Sequence, residues 1–139
     1  MINTNAAAYA NGKGGILSAD TLRIATGATD GSYGRVDNSA GFIGSKNALS
    51  ANTGEFINGN SGTVLGQSTV SMATQGAAYD NSGGQTLAVG NLQIDSGSGE
   101  VKNVDGLIRS GAMTTVRAAV STTPPPPEPT EASKARTLP

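Results

Sequence analysis

The stretch Arg35-Val36-Asp37-Asn38-Ser39-Ala40-Gly41-Phe42-Ile43-Gly44-Ser45 decides the reading, because its pattern recurs along the chain. The unit is an apolar residue, any residue and Asn, then Gly, an apolar pair, and two apolar residues spaced i, i+2. After Val36-Asp37-Asn38, Gly41, Phe42-Ile43, Leu49 and Ala51 comes a second copy, Phe56-Ile57-Asn58, Gly62, Val64-Leu65, Val70 and Met72. The third is Tyr79-Asp80-Asn81, Gly84, Leu87, Leu92 and Ile94. The fourth is Val101-Lys102-Asn103, Gly106, Leu107-Ile108, Met113 and Thr115. A degenerate opening copy supplies Gly15, Ile16-Leu17, Leu22 and Ile24. From Leu49 to Val70 to Leu92 to Met113 the steps are 21, 22 and 21 residues. Leu22 to Leu49 takes 27, and the excess fits an insertion around Thr29-Asp30-Gly31-Ser32-Tyr33-Gly34.

A repeat of this length holds two or three strands of three to five residues, too short to bury a core alone. Winding each unit into a coil, with the next stacked about 4.8 Å above, pairs every strand with its copies. The expected fold is therefore all-β: a parallel β-helix of about four to five short coils. Leu49, Val70, Leu92 and Met113 are expected to form one interior column. Gly41, Gly62, Gly84 and Gly106 fall where the chain turns, and Gly accepts positive φ there. Asn38, Asn58, Asn81 and Asn103 precede them, and stacked Asn side chains can form hydrogen-bonded ladders. A β-sandwich is the alternative, but it calls for two-residue hairpins and larger inward residues.

Composition agrees. Aromatic residues are 4% of the 139, with no Trp, so any core is thin, while 20 Gly suit frequent turns. The chain divides into an N-terminal extension (1–10), the repeat domain (11–120) and a tail (121–139). The tail opens Ser121-Thr122-Thr123-Pro124-Pro125-Pro126-Pro127, and such a proline run cannot extend a β-ladder. It reads as a disordered linker; a ligand for a proline-binding domain and an out-of-frame gene end are the other readings.

The strings Arg35–Ser45, Tyr79-Asp80-Asn81-Ser82-Gly83-Gly84 and Gly106-Leu107-Ile108-Arg109-Ser110-Gly111 resemble the LDN-x-x-G-x-I-x-S repeats of filamentous haemagglutinin-like proteins. That family includes the exoproteins of two-partner secretion and the stick of contact-dependent inhibition toxins. The resemblance spans roughly residues 11–119. It implies a right-handed parallel β-helix at the cell surface or secreted, an adhesive or structural role, and a host-cell or bacterial surface receptor met through a parent protein. Family members are usually far longer and begin with a signal and a secretion domain. This chain reads as a piece of such a protein, with no export signal of its own.

No catalytic, cofactor or metal site is assigned. With no Cys there are no disulfides or thiolate sites, and with no His the usual general base is missing. Asp37 and Asp80 share one repeat position, with Ile57 between and Lys102 beyond, which falls short of an acid pair. Asp95-Ser96-Gly97-Ser98-Gly99-Glu100 lacks calcium-loop spacing, and Gly12-Lys13-Gly14-Gly15 is no phosphate loop. Arg35 and Glu55 share a position in adjacent units and are expected to pair. Nine scattered Lys and Arg give no nucleic-acid patch, and no apolar run is long enough for a membrane helix. The expectation is thus a non-enzyme. A carbohydrate-binding or carbohydrate-active β-helix module is the second reading, with Tyr33 the credible surface aromatic among Tyr9, Tyr33 and Tyr79, since Tyr79 should face inward. No polar cap is evident at either end, so end-to-end self-association is expected.

Overall fold

The computed structural model describes residues 1–4 and 15–119, and among these there are strands and turns but no helix. β1 (Ile16–Ser18) and β2 (Leu22–Ala25) come first. Four triplets follow: β3 (Val36–Asp37), β4 (Phe42–Ser45) and β5 (Leu49–Asn52), then β6 (Phe56–Ile57), β7 (Thr63–Gly66) and β8 (Val70–Ala73). Next come β9 (Tyr79–Asp80), β10 (Gln85–Ala88) and β11 (Leu92–Asp95), and last β12 (Val101–Lys102), β13 (Leu107–Ser110) and β14 (Thr114–Arg117).

Each triplet closes one coil, and equivalent strands stack in parallel. The sheets run β3-β6-β9-β12, β1-β4-β7-β10-β13 and β2-β5-β8-β11-β14. The molecule is a β-solenoid of about four turns, as the period required. Tyr9, Gly12, Lys13, Gly14 and the tail 121–139 lie outside the described residues.

Alternation within each strand sends one row of side chains inward. Val36, Phe56 and Tyr79 fill one column, Ile43 and Val64 a second, Leu49, Val70 and Leu92 a third, and Met72 and Ile94 a fourth; all are at most 1% exposed. Phe56 and Tyr79 stack with ring centroids 5.5 Å apart, which puts the two largest side chains on one wall of a narrow core.

Met113 does not belong to that column. Leu92 pairs with Thr114 and Ile94 with Val116, so Met113 lies one residue before the strand and is 63% exposed. The step from Leu92 is therefore 22 residues. A one-residue slip reverses every side chain of a strand, and Met113-Thr114-Thr115-Val116 carries too weak an alternation to prevent misphasing.

The glycines need a different account too. Gly41, Gly62, Gly84 and Gly106 do not have positive φ; the left-handed residues precede them, at Ala40, Asn60, Ser61, Gly83 and Asp105. What Gly supplies is clearance. A Cβ on Gly84 would overlap the carbonyl oxygen of Asn58 one coil below, and one on Gly62 would come 2.7 Å from the Oδ1 of Asn58.

The 27-residue step is taken up as expected. Residues 26–34 form a small hairpin in which Gly27 bridges Tyr33 antiparallel and the Gly34 N–H donates to the Thr26 carbonyl at 3.0 Å. Met1–Asn3 add a partial rung beneath β3: Asp37 N–H donates to Met1 O at 2.9 Å, and Asn3 N–H to Asp37 O at 2.7 Å.

Candidate functional site

Inner polar columns hold the coils in register and so fix the surface they present. Asn3, Asn38, Asn58, Asn81 and Asn103 form a continuous ladder. Each Nδ2 donates to the Oδ1 of the next Asn, at 2.7, 2.8, 2.8 and 2.7 Å. The same amide also donates to a backbone carbonyl at the start of the next coil, from Phe42, Thr63, Gln85 and Leu107 in turn, at 2.8–3.1 Å. Asn38, Asn58 and Asn81 are fully buried. Asparagine alone fits, since the position needs an uncharged group that both accepts from below and donates above.

A second polar column was not anticipated from the repeat. Thr53, Thr74 and Ser96 are buried and donate their hydroxyls to Gly54, Ala77 and Gly99 carbonyls at 2.9, 2.6 and 3.2 Å. They stand two residues after the inward Ala51, Met72 and Ile94, so the inward alternation continues one step past the strand. That signal was available in the sequence. Tyr79 adds a third polar element: its hydroxyl meets Thr86 Oγ1 at 2.6 Å, and Thr86 donates to Asn81 Oδ1 at 2.9 Å. Burial pushes the Tyr79 hydroxyl well above its ordinary pKa of 10.0, and the Thr86 bond only partly offsets this. Among the described residues no buried side-chain polar atom lacks a partner.

The acids singled out in the sequence serve turns. Asp37 and Asp80 lie on one column with Ile57 between them, two stacking steps or roughly 9–10 Å apart. Asp37 Oδ1 accepts the Ser39 N–H at 2.9 Å, Asp80 Oδ1 the Ser82 N–H at 3.0 Å, and Asp95 Oδ1 the Gly97 N–H at 2.9 Å. The Ser39 N–H, helped by its hydroxyl and by Arg35, holds Asp37 below the usual carboxylate value. Among the described residues no cluster of three or more metal-ligating side chains occurs. Arg35 pairs with Glu55 at 3.3 Å as expected, and also reaches Asp37 at 3.6 Å; these are exposed contacts, worth roughly 0–1 kcal/mol.

The outer wall of β1-β4-β7-β10-β13 carries the most distinctive surface. Leu17, Gly44, Leu65 and Leu87 form one outward column. The Phe42 ring leans over Gly44, close to where a Cβ would stand, with Leu17 Cδ2 beside it. Leu17, Phe42 and Leu65, rimmed by Ser18, Lys46 and Gln67, bound a shallow groove of about 310 Å³. Leu17 is 55% exposed. Leu65 and Leu87 read as core candidates in the sequence, yet they face outward; Val64 and Thr86 take the inward places. On the adjoining wall Gln75, Asp95, Ser98 and Arg117 surround a polar hollow. Tyr33 is 37% exposed on its hairpin, while Tyr79 is sealed inside.

Comparison with models of known families, with curated proteins and with solved structures finds no significant match. Among the described residues no helix is long and apolar enough to cross a membrane.

Proposed function

We propose that this chain is a structural and adhesive repeat segment of a bacterial surface or secreted protein of the filamentous haemagglutinin kind. The observation that carries the reading is the Asn ladder. It ties every coil to the next through side chains as well as backbone, which suits a part whose work is to be stiff and to hold its outer wall in fixed register. The groove between Leu17, Phe42 and Leu65 is the surface offered to a receptor: exposed apolar area with a polar rim marks binding faces more often than chance.

This reading is preferred over a carbohydrate module because sugar stacking calls for exposed aromatic faces. Phe56 and Tyr79 are buried in the core, and the aligned acids Asp37 and Asp80 are engaged in turns. The test is adhesion of beads coated with the folded chain to bacterial and host cells. Adherence should fall when Leu17 and Leu65 are both replaced by Ser, with the circular dichroism spectrum unchanged. Beads that adhere to no cell surface would refute the adhesive role. Binding to a glycan panel that disappears in Tyr33→Ala would favour the carbohydrate reading instead.

A further inference from the structure

We propose that the two ends of the solenoid bind each other, so that copies of this chain stack head to tail into a filament. The inference does not rest on the adhesive reading; it comes from how the end coils differ from the middle ones. Ile43, Val64, Leu49 and Val70 are at most 1% exposed, each covered from above and below. At the lower end the same two columns continue with Ile16 and Leu22, which are only half-buried. At the upper end Ile94 is fully buried, but Val116, next in its column, is 47% exposed, and Thr114 is exposed as well. Among the described residues, interior positions are thus exposed at the upper end and half-buried at the lower end, where Ile24 of the same coil is buried.

Among the described residues the backbone of β14 is incomplete in the same sense. Leu92 N–H donates to Met113 O, and Ser96 N–H to Arg117 O. In a parallel pair that phase leaves the N–H and C=O groups of Thr114 and Val116 directed away from β11, toward the place of a further coil. An unpaired strand edge is a template for another chain.

A second copy in the same rotation completes these columns. Ile16 would cover Ile108 and Leu22 would cover Thr114, with the buried Ile24 seated in the column of Val116, so half-buried apolar residues meet the more open upper end. Asn3 would stand above Asn103, and Asn103 Nδ2 would hold the place that Asn81 Nδ2 holds one coil below. On the outside Lys102, Arg109 and Arg117 would meet Ile2, Leu17 and Ala25, so no like charges oppose. Because the upper face binds the lower face of the next copy, the contact is heterologous and does not close, and an open filament results.

Sedimentation velocity and small-angle scattering of the full chain at rising concentration test this. The expected result is a mass that grows with concentration at constant cross-section. Val116→Pro removes the upward N–H without touching the bonds to β11, and assembly should be lost while the melting temperature holds. Val116→Lys serves as a second variant, since its charge reaches solvent at a free end but would be buried in a stack; it too should stay monomeric. A chain that remains monomeric at every concentration overturns the proposal. So does assembly that survives both Val116 variants, or assembly abolished by Leu65→Lys, which would locate the contact on the side wall.

Discussion

Asn58→Asp changes one atom of the ladder and should cost far more than its size suggests. Asn58 has no exposed surface, and its side chain holds three short hydrogen bonds and a longer one to Thr86 Oγ1 at 3.5 Å. Its Oδ1 accepts from Asn38, and its Nδ2 donates to Asn81 Oδ1 and to the Gln85 carbonyl, each at 2.8 Å. An ionised Asp keeps the first and turns the other two into oxygens facing oxygens. Asn81 Oδ1 retains the Thr86 hydroxyl as a donor, but the Gln85 carbonyl loses its side-chain partner. Two lost hydrogen bonds at about 1 kcal/mol each put the loss at about 2 kcal/mol before the larger penalty for the buried charge. Protonation restores one donor, so the folded-state pKa of this Asp must lie above the unfolded value. The penalty is therefore smallest below the unfolded carboxylate pKa and grows as pH rises toward the folded one. Asn58→Ala supplies the comparison without a titrating group. Urea unfolding followed by far-UV circular dichroism, at neutral and mildly acid pH, measures both. A loss under about 1 kcal/mol at neutral pH, where even two ordinary hydrogen bonds should cost more, would refute the ladder argument. A loss that Asn58→Asp shows equally at both pH values would do the same.

Three other predictions follow from the same coordinates. Val70→Asp buries an unpaired charge in a dry column and should cost several kcal/mol, whereas Met113→Asp should stay within about 0.5 kcal/mol; equal thermal shifts in the two would return Met113 to the core. Because the folded-state pKa of Tyr79 is raised, its stabilising effect is intact below 10.0 and is lost as pH rises above that value. Tyr79→Phe should lower stability at neutral pH by about 1 kcal/mol through the lost Thr86 bond, yet flatten the alkaline fall, which a pH series of melting curves would read. Gly84→Ala should cost several times more than Gly31→Ala. Gly31 has φ +85° but open space around it, so its strain is about 1–2 kcal/mol, while a Cβ on Gly84 must displace the coil below; calorimetry showing the reverse order would refute the clearance argument.

Much of the fold was legible because a solenoid presents the same environment once per turn. Position 38 meets the same neighbours as 58, 81 and 103, so Asn recurs there, and the recurrence reveals the coil and its period before any contact is known. The same logic located the insertion at 29–34, paired Arg35 with Glu55, and turned Tyr79 inward. The Thr53, Thr74 and Ser96 column obeys this rule as well, one alternation step past the end of each strand, where a strand pattern alone does not mark it.

What the tertiary structure decided is whatever depends on the neighbouring coil rather than on recurrence. A run such as Val64-Leu65 or Thr86-Leu87 gives two candidates for one inward place, and only pairing with Ile43 and Gly44 sends Leu65 and Leu87 outside to build the groove. The phase of β14 was open for the same reason: Met113 and Thr114 differ by one residue, and Leu92 above Val70 makes the choice. Likewise Gly62, Gly84 and Gly106 are explained by the carbonyl one coil below, a contact between residues about 25 apart in the chain. Periodicity records what each turn has in common, and the faces, clearances and ends of the solenoid arise from what adjacent turns do to each other.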